Sequence, residues 1–154
     1  LLLVDDDPTY RALVRHALRL RFIVSEATNG LEALDRLAEN IPEILLLDME
    51  MPGLSGLETL IRIRLLRQMR HVPIIMVTAI SERETIIESM KAGAADYLLK
   101  NSHTTKELVD RVLSHVPGFG MARDPDAEID EPHEGHAQPV ALRHRRSSNS
   151  ELRQ

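Results

Sequence analysis

Between residue 1 and Val116, five short apolar runs alternate with five amphipathic stretches, and this alternation limits the fold more than any other feature. Strands are predicted at Leu1–Asp5, Phe22–Ala27, Ile44–Asp48, Ile74–Thr78 and Ala95–Leu99. Their apolar residues run almost without interruption, as in strands covered on both faces of a parallel sheet. Asp7-Pro8 is a helix start, with Asp as N-cap and Pro at the first position. Leu13, Ala17 and Leu20 then recur at helical spacing. Asn29-Gly30 opens the second helix, with Leu31, Leu34 and Ala38 on its inner face. The third is predicted from Gly56 to Met69, buried through Leu57, Leu60, Ile61 and Leu65. Ser81 is the predicted cap of the fourth, with Glu84 as capping-box partner and Ile86, Ile87 and Met90 facing inward. The fifth runs from Thr104 to Val116, with Leu108, Val109, Val112, Leu113 and Val116 on one stripe. Strict βα alternation predicts a doubly wound α/β fold. In such sheets ligands bind outside the carboxyl ends of the strands, so the residues there are the first candidates for a site.

The chain has 154 residues, 43% of them hydrophobic but only 3% aromatic, so the core must be aliphatic. A net charge of −5 argues against direct nucleic-acid binding, which favours a basic surface. There is no cysteine, hence no disulfide and no thiolate metal site. No run of Ile, Leu and Val exceeds four residues, far short of the roughly 20 apolar residues of a membrane span. The reading is a cytoplasmic protein. Residues 124–134, DPDAEIDEPHE, carry six acids, and RHRR follows at 143–146; with few apolar residues and no period, 117–154 is expected to be a disordered acidic and basic tail or linker. The seven histidines are scattered and are assigned no metal.

The strand ends gather chemistry. The first ends in Asp5, Asp6 and Asp7, and the third in Asp48. The fourth ends in Thr78-Ala79, and the fifth in Lys100. In a parallel sheet these converge on one edge. Acids crowded together repel one another, so such a set calls for a cation. Hard oxygen ligands with access to water suit Mg²⁺. A carboxylate nucleophile, a divalent cation, a hydroxyl and a lysine are together the parts of a phosphoryl-transfer site. Plainer readings stand beside this one. Asp5–Asp7 could be a solvated cap, Thr78 a strand former, Lys100 a surface charge, and Tyr97 a packing residue. Asp7 is given the structural role of capping the first helix.

LLLVDDDP, LLLDMEMPGLSG, IIMVTA and ADYLLK, in this order and with the spacings from Asp48 to Gly56, Thr78 and Lys100, resemble the receiver domain of two-component response regulators. The resemblance covers residues 1–116. It implies a flavodoxin-like (βα)5 fold with strand order 2-1-3-4-5. It implies that Asp48 is a phosphoacceptor served by a histidine kinase or histidine phosphotransfer protein. Asp5, Asp6, Asp48 and the Glu50 backbone carbonyl would hold Mg²⁺. Thr78 and Lys100 would contact the phosphoryl oxygens, and Thr78 with Tyr97 would form the switch. The face of the fourth helix, fifth strand and fifth helix would be the readout surface and a homodimer surface. Glu50, Ala79 and Ile80 flank the entrance and are expected to govern access and phosphoryl lifetime. The chain would be a switch, not an enzyme acting on other substrates.

Two rivals are kept: an aspartyl-phosphate phosphohydrolase, with Glu50 as general acid and base, and a phosphorylation-independent binding module. The chain also departs from the family pattern. Asn101 replaces the usual Pro after Lys100, so a trans peptide and a looser lysine are expected there. The first strand is clipped, and the link from the first helix to the second strand is about two residues short. With no initial Met and SSNSELRQ at its end, the chain is expected to be a piece of a larger regulator or hybrid histidine kinase.

Overall fold

The computed structural model describes residues 1–116 and Gly118. Apart from Gly118, the expected tail lies outside the described residues. The elements are β1 (Leu2–Val4), α1 (Pro8–Leu18), β2 (Ser25–Ala27), α2 (Gly30–Glu39), β3 (Leu45–Leu47), α3 (Gly56–Leu65), β4 (Ile74–Thr78), α4 (Arg83–Lys91), β5 (Asp96–Leu99) and α5 (Thr105–Ser114). All neighbouring strands are parallel, in the order β2-β1-β3-β4-β5. The strand order therefore switches between β1 and β3, and that is where the crevice of a doubly wound sheet opens.

Alternate strand residues feed two cores. Leu2, Val4, Leu45, Leu47, Ile74 and Met76 pack on one face with Ala33, Leu37, Leu60 and Ile63 from α2 and α3. Leu3, Leu46, Ile75 and Val77 pack on the other with Val14, Leu18, Leu108 and Val112 from α1 and α5. This explains why β1, β3 and β4 read as unbroken apolar runs: both faces are covered. Burying each such side chain contributes about 1.5–3 kcal/mol. Among the described residues no helix is long and apolar enough to cross a membrane.

Several helix faces differ from the predicted ones. On α1 the buried stripe is Tyr10, Val14 and Leu18, while Leu13 is 44% and Leu20 84% exposed. On α2 it is Gly30, Ala33 and Leu37, with Leu31 and Ala38 exposed. On α3, Leu60 and Ile63 are buried but Ile61 and Leu65 are not. On α1 and α2 the buried i, i+3/i+4 stripe lies one position away from the richest count of leucines. A tyrosine or a small residue at the seam hides it from a hydrophobicity reading. On α4, Ile86 is half-buried but Ile87 and Met90 are exposed, so neither of these two faces inward as expected. α5 keeps the predicted face most nearly: Leu108 and Val112 are buried, Val109, Leu113 and Val116 are half-buried, and the helix ends at Ser114.

Ends shift as well. α3 stops at Leu65 and is followed by a 3₁₀ turn over Arg67–Met69. The second strand shrinks to Ser25–Ala27, because the Arg21 and Phe22 amides both bond to the Leu18 carbonyl and hold the chain at the end of α1. Glu82, not Ser81, is the N-cap of α4, and it makes no side-chain cap bond. In the loop before it, Ile80 is bonded to Thr78 and Tyr97, and the helix begins at Arg83. The predicted Asp7 cap is present, accepting from the Thr9 amide at 2.8 Å. The clipped first strand still pairs with both neighbours over three residues.

Candidate functional site

The sheet delivers its functional side chains by simple continuation of the strands. Asp5 follows β1, and its amide bonds to the Ala27 carbonyl at 3.1 Å. Asp48 follows β3, and its amide bonds to the Val4 carbonyl at 2.8 Å. The two acids thus stand side by side at the switch in strand order. Gly56 lets α3 begin hard against this point: a Cβ there would lie 2.0 Å from the Asp48 carbonyl oxygen. Gly53, with φ +82°, turns the chain away from the site before α3.

Asp5, Asp48 and Thr78 are buried, whereas Asp6 is exposed. One carboxylate oxygen from each of Asp5, Asp6 and Asp48 lies within 4.8 Å of the others. Lys100, the residue after β5, reaches across with Nζ 2.7 Å from Asp5 Oδ2 and 3.1 Å from Asp48 Oδ2. Among the described residues no cis peptide occurs, so the Lys100–Asn101 bond is trans. The expected loosening of the lysine is not found, since it bridges two buried acids.

Burial pushes the Asp48 carboxyl up to about 6, reinforced by Asp5 and opposed by Lys100 and the Glu50 amide. Asp5 also moves up, chiefly through burial. Burial would lower Lys100, but Asp5 and Asp48 together carry it upward. Two buried carboxylates therefore share one ammonium. Asp5 Oδ2 is close to Lys100 Nζ but lacks a well-directed hydrogen bond, leaving a buried acceptor only ion-paired. An all-oxygen donor set with an unsatisfied buried oxygen fits a hard divalent cation.

The remaining predicted residues surround this centre. Glu50 is exposed, and its amide donates to Asp48 Oδ1 at 3.3 Å. Ala79 is exposed and Ile80 half-buried. The Ile80 amide donates to Thr78 Oγ1 at 3.2 Å, and the Ile80 carbonyl accepts from the Tyr97 hydroxyl. Tyr97 is thus tied to the loop after β4 rather than free. Three contributors were missed in the sequence. Arg11 holds the Asp5 carbonyl at 2.9 Å. Tyr10 lies under Lys100, and His103 touches Tyr10. The Tyr10–Val14–Leu18 spacing could have found Tyr10; nothing local singles out His103.

A family model for the response regulator receiver domain matches residues 1–113. The chain belongs to that family. The receiver is 37% identical over 120 residues to chemotaxis protein CheY-3 of Vibrio cholerae, an alignment covering 75% of this chain and 92% of that protein. It superposes on a putative response regulator from Chloroflexus aurantiacus with a TM-score of 0.69 and 36% identity, covering 74% of this chain and 93% of that one. The Mn²⁺-bound form of response regulator Rcp1 is also similar, with a TM-score of 0.63, 26% identity and coverage of 72% and 86%. The chain is a CheY-like receiver of two-component signalling, and its acidic cluster is one that could hold a metal ion.

Proposed function

We propose that this receiver is a phosphorylation switch with Asp48 as phosphoacceptor. The observation that carries the reading is the buried Asp48 carboxylate, 3.1 Å from Lys100 Nζ, where Asp5 and Asp6 also converge. An Asp48 oxygen attacks the phosphorus of a phosphohistidine on a partner histidine kinase or phosphotransfer protein. The O–P bond forms as the P–N bond breaks, and the imidazole nitrogen keeps the electron pair and takes a proton from solvent. Lys100 offsets charge on one phosphoryl oxygen. Thr78 Oγ1 accepts from the Ile80 amide, and its hydroxyl proton, now within reach of Tyr97, can donate to another. Asp5, Asp6, Asp48 and the Glu50 carbonyl would hold Mg²⁺, which neutralises phosphoryl oxygens when bound. The Mn²⁺-bound Rcp1 structure supports a divalent ion.

Phosphorylation adds about −1.5 to −2 charge at Asp48. Thr78, the Ile80 main chain and the Tyr97 hydroxyl form a continuous hydrogen-bonded chain, so a shift of Thr78 bears on Tyr97. The result is a population shift between two states. The α4–β5–α5 face, with Ile87 and Met90 exposed on α4, would be the surface read by a target or a second copy.

The test is incubation with Mg²⁺ and acetyl phosphate. One phosphoryl group per chain is expected, absent in Asp48→Asn. Sustained turnover of phosphate esters would favour the phosphohydrolase, and no labelling would favour a phosphorylation-independent module. Glu50→Asn and Ile80→Ala should each change the aspartyl-phosphate lifetime by roughly threefold or more, a barrier change of about 0.6 kcal/mol upward. Unchanged lifetimes would remove both residues from the control of water access.

A further inference from the structure

Tyr10 on α1 and His103 in the loop between β5 and α5 meet beside Lys100. Lys100 Nζ lies 4.7 Å from the centroid of the Tyr10 ring. Tyr10 Oη is 3.3 Å from His103 Nε2. The ring is part of the apolar cluster that holds Val14, Leu18, Leu98 and Leu108. Its body is therefore set by packing and its tip by His103. His103 Nδ1 is 3.3 Å from the Thr104 carbonyl oxygen, which can only accept. That contact puts a proton on Nδ1 and leaves Nε2 of the neutral ring to accept from the Tyr10 hydroxyl. Burial raises the Tyr10 pKa, so the hydroxyl keeps the proton it donates.

We propose that Tyr10 is a positioning residue for Lys100 and that His103 locks it in place. A lysine ammonium is a compact charge on a flexible four-carbon stem. Asp5 and Asp48 attract it, but a phosphoryl group arriving on Asp48 changes that attraction at the moment the lysine is needed. The face of an aromatic ring attracts a cation whatever the state of Asp48. Beyond the lysine, the Lys100 amide bonds to the Thr78 carbonyl and the Ser102 amide to the Leu99 carbonyl. The Tyr10–His103 bond ties this loop to α1, the helix that starts just after Asp5–Asp7. The proposal rests on the reading of Lys100 as a contact for phosphoryl oxygens. It assigns functional weight to two residues that would otherwise count as a core tyrosine and a loop histidine.

The experiment follows the labelling rate with acetyl phosphate and Mg²⁺ at saturating donor, alongside NMR of the Lys100 ε-methylene protons in the full chain. In the wild type those protons should be shifted upfield by the Tyr10 ring. Tyr10→Leu should abolish the shift and slow labelling roughly threefold to tenfold, the weight of one cation–π contact. Tyr10→Phe and His103→Leu should each give a smaller loss, with no further loss when combined. His103→Gln should recover the rate, because its amide oxygen can accept from Tyr10. A purely structural role would lower Tm and leave both the rate of the folded protein and this rescue pattern unmoved. If Tyr10→Leu does not fold, Tyr10→Phe and the two His103 variants decide. A labelled wild type with variants at its rate, or an ε-methylene shift that survives Tyr10→Leu, overturns the proposal alone. A wild type that takes no label overturns the phosphoacceptor reading, and the role in the reaction falls with it.

Discussion

Asp48 and Asp96 are the same residue in opposite electrical surroundings. Asp48 stands at the carboxyl end of β3, beside a second buried acid, and both lean on one lysine. Burial and Asp5 push it up to about 6. Asp96 opens β5 at the other end of the sheet. Burial would raise it too, but His115 at 2.8 Å, the Tyr97 amide at 2.8 Å and Arg111 at 3.0 Å hold it below the usual carboxylate range. Donors outnumber the acid at Asp96, whereas acids outnumber the cation at Asp48. The first arrangement ties the end of α5 to the sheet. The second leaves a deficit of positive charge that an incoming cation or a phosphoryl transfer can exploit. Perturbed carboxylates of this second kind are the ones that mark functional sites.

Removing the cation from each cluster should separate them most. Lys100→Met leaves two buried acids without their partner and should cost roughly 3 kcal/mol at pH 7.5. Arg111→Met removes a half-exposed partner from Asp96, which keeps His115 and the Tyr97 amide, and should cost under about 1 kcal/mol. Urea denaturation measures both, and equal costs would break the contrast.

The pH dependence of the acid deletions should differ in sign. The folded-state pKa of Asp48 is raised, so the native state binds its proton more readily than the unfolded chain. Its contribution to stability is complete below the usual 3.8 and is lost as pH rises through about 6. With chelator present, Asp48→Asn should therefore gain about 1–3 kcal/mol at pH 7.5, and the gain should vanish by about pH 4. The folded-state pKa of Asp96 is lowered, so its contribution is present above 3.8 and is lost as pH falls through the lower folded value. Asp96→Asn should lose up to about 1 kcal/mol at neutral pH and nothing in strong acid. Parallel pH profiles for the two variants would show that the clusters do not differ as described.

The strands were the most legible part of the chain. Leu45–Leu47 and Ile74–Thr78 sit between two helical layers, so every residue is apolar or buried and the run announces itself. Asp5, Asp48, Thr78 and Lys100 were legible because each is where such a run ends. Helix faces were harder. α1 turns Tyr10 inward and Leu13 outward, a choice made by the sheet beneath it and not by hydrophobicity. The Ser81 cap is a related case: Ile80 just before it is bonded to Thr78 and to Tyr97, 17 residues away, and the helix begins only at Arg83.

The sequence by itself determined the βα alternation, the parallel sheet and the acids and lysine at its carboxyl edge, because these follow from local periodicity and from where apolar runs stop. Only the tertiary structure decided which acid meets which cation. Lys100 lies 52 residues beyond Asp48 and reaches it across β4, and His103 lies 93 beyond Tyr10. No local pattern encodes such pairs. They arise when the sheet orders its strands β2-β1-β3-β4-β5 and brings the loop after β5 over the start of α1. Burial at that junction then converts an ordinary aspartate into one with a pKa of about 6.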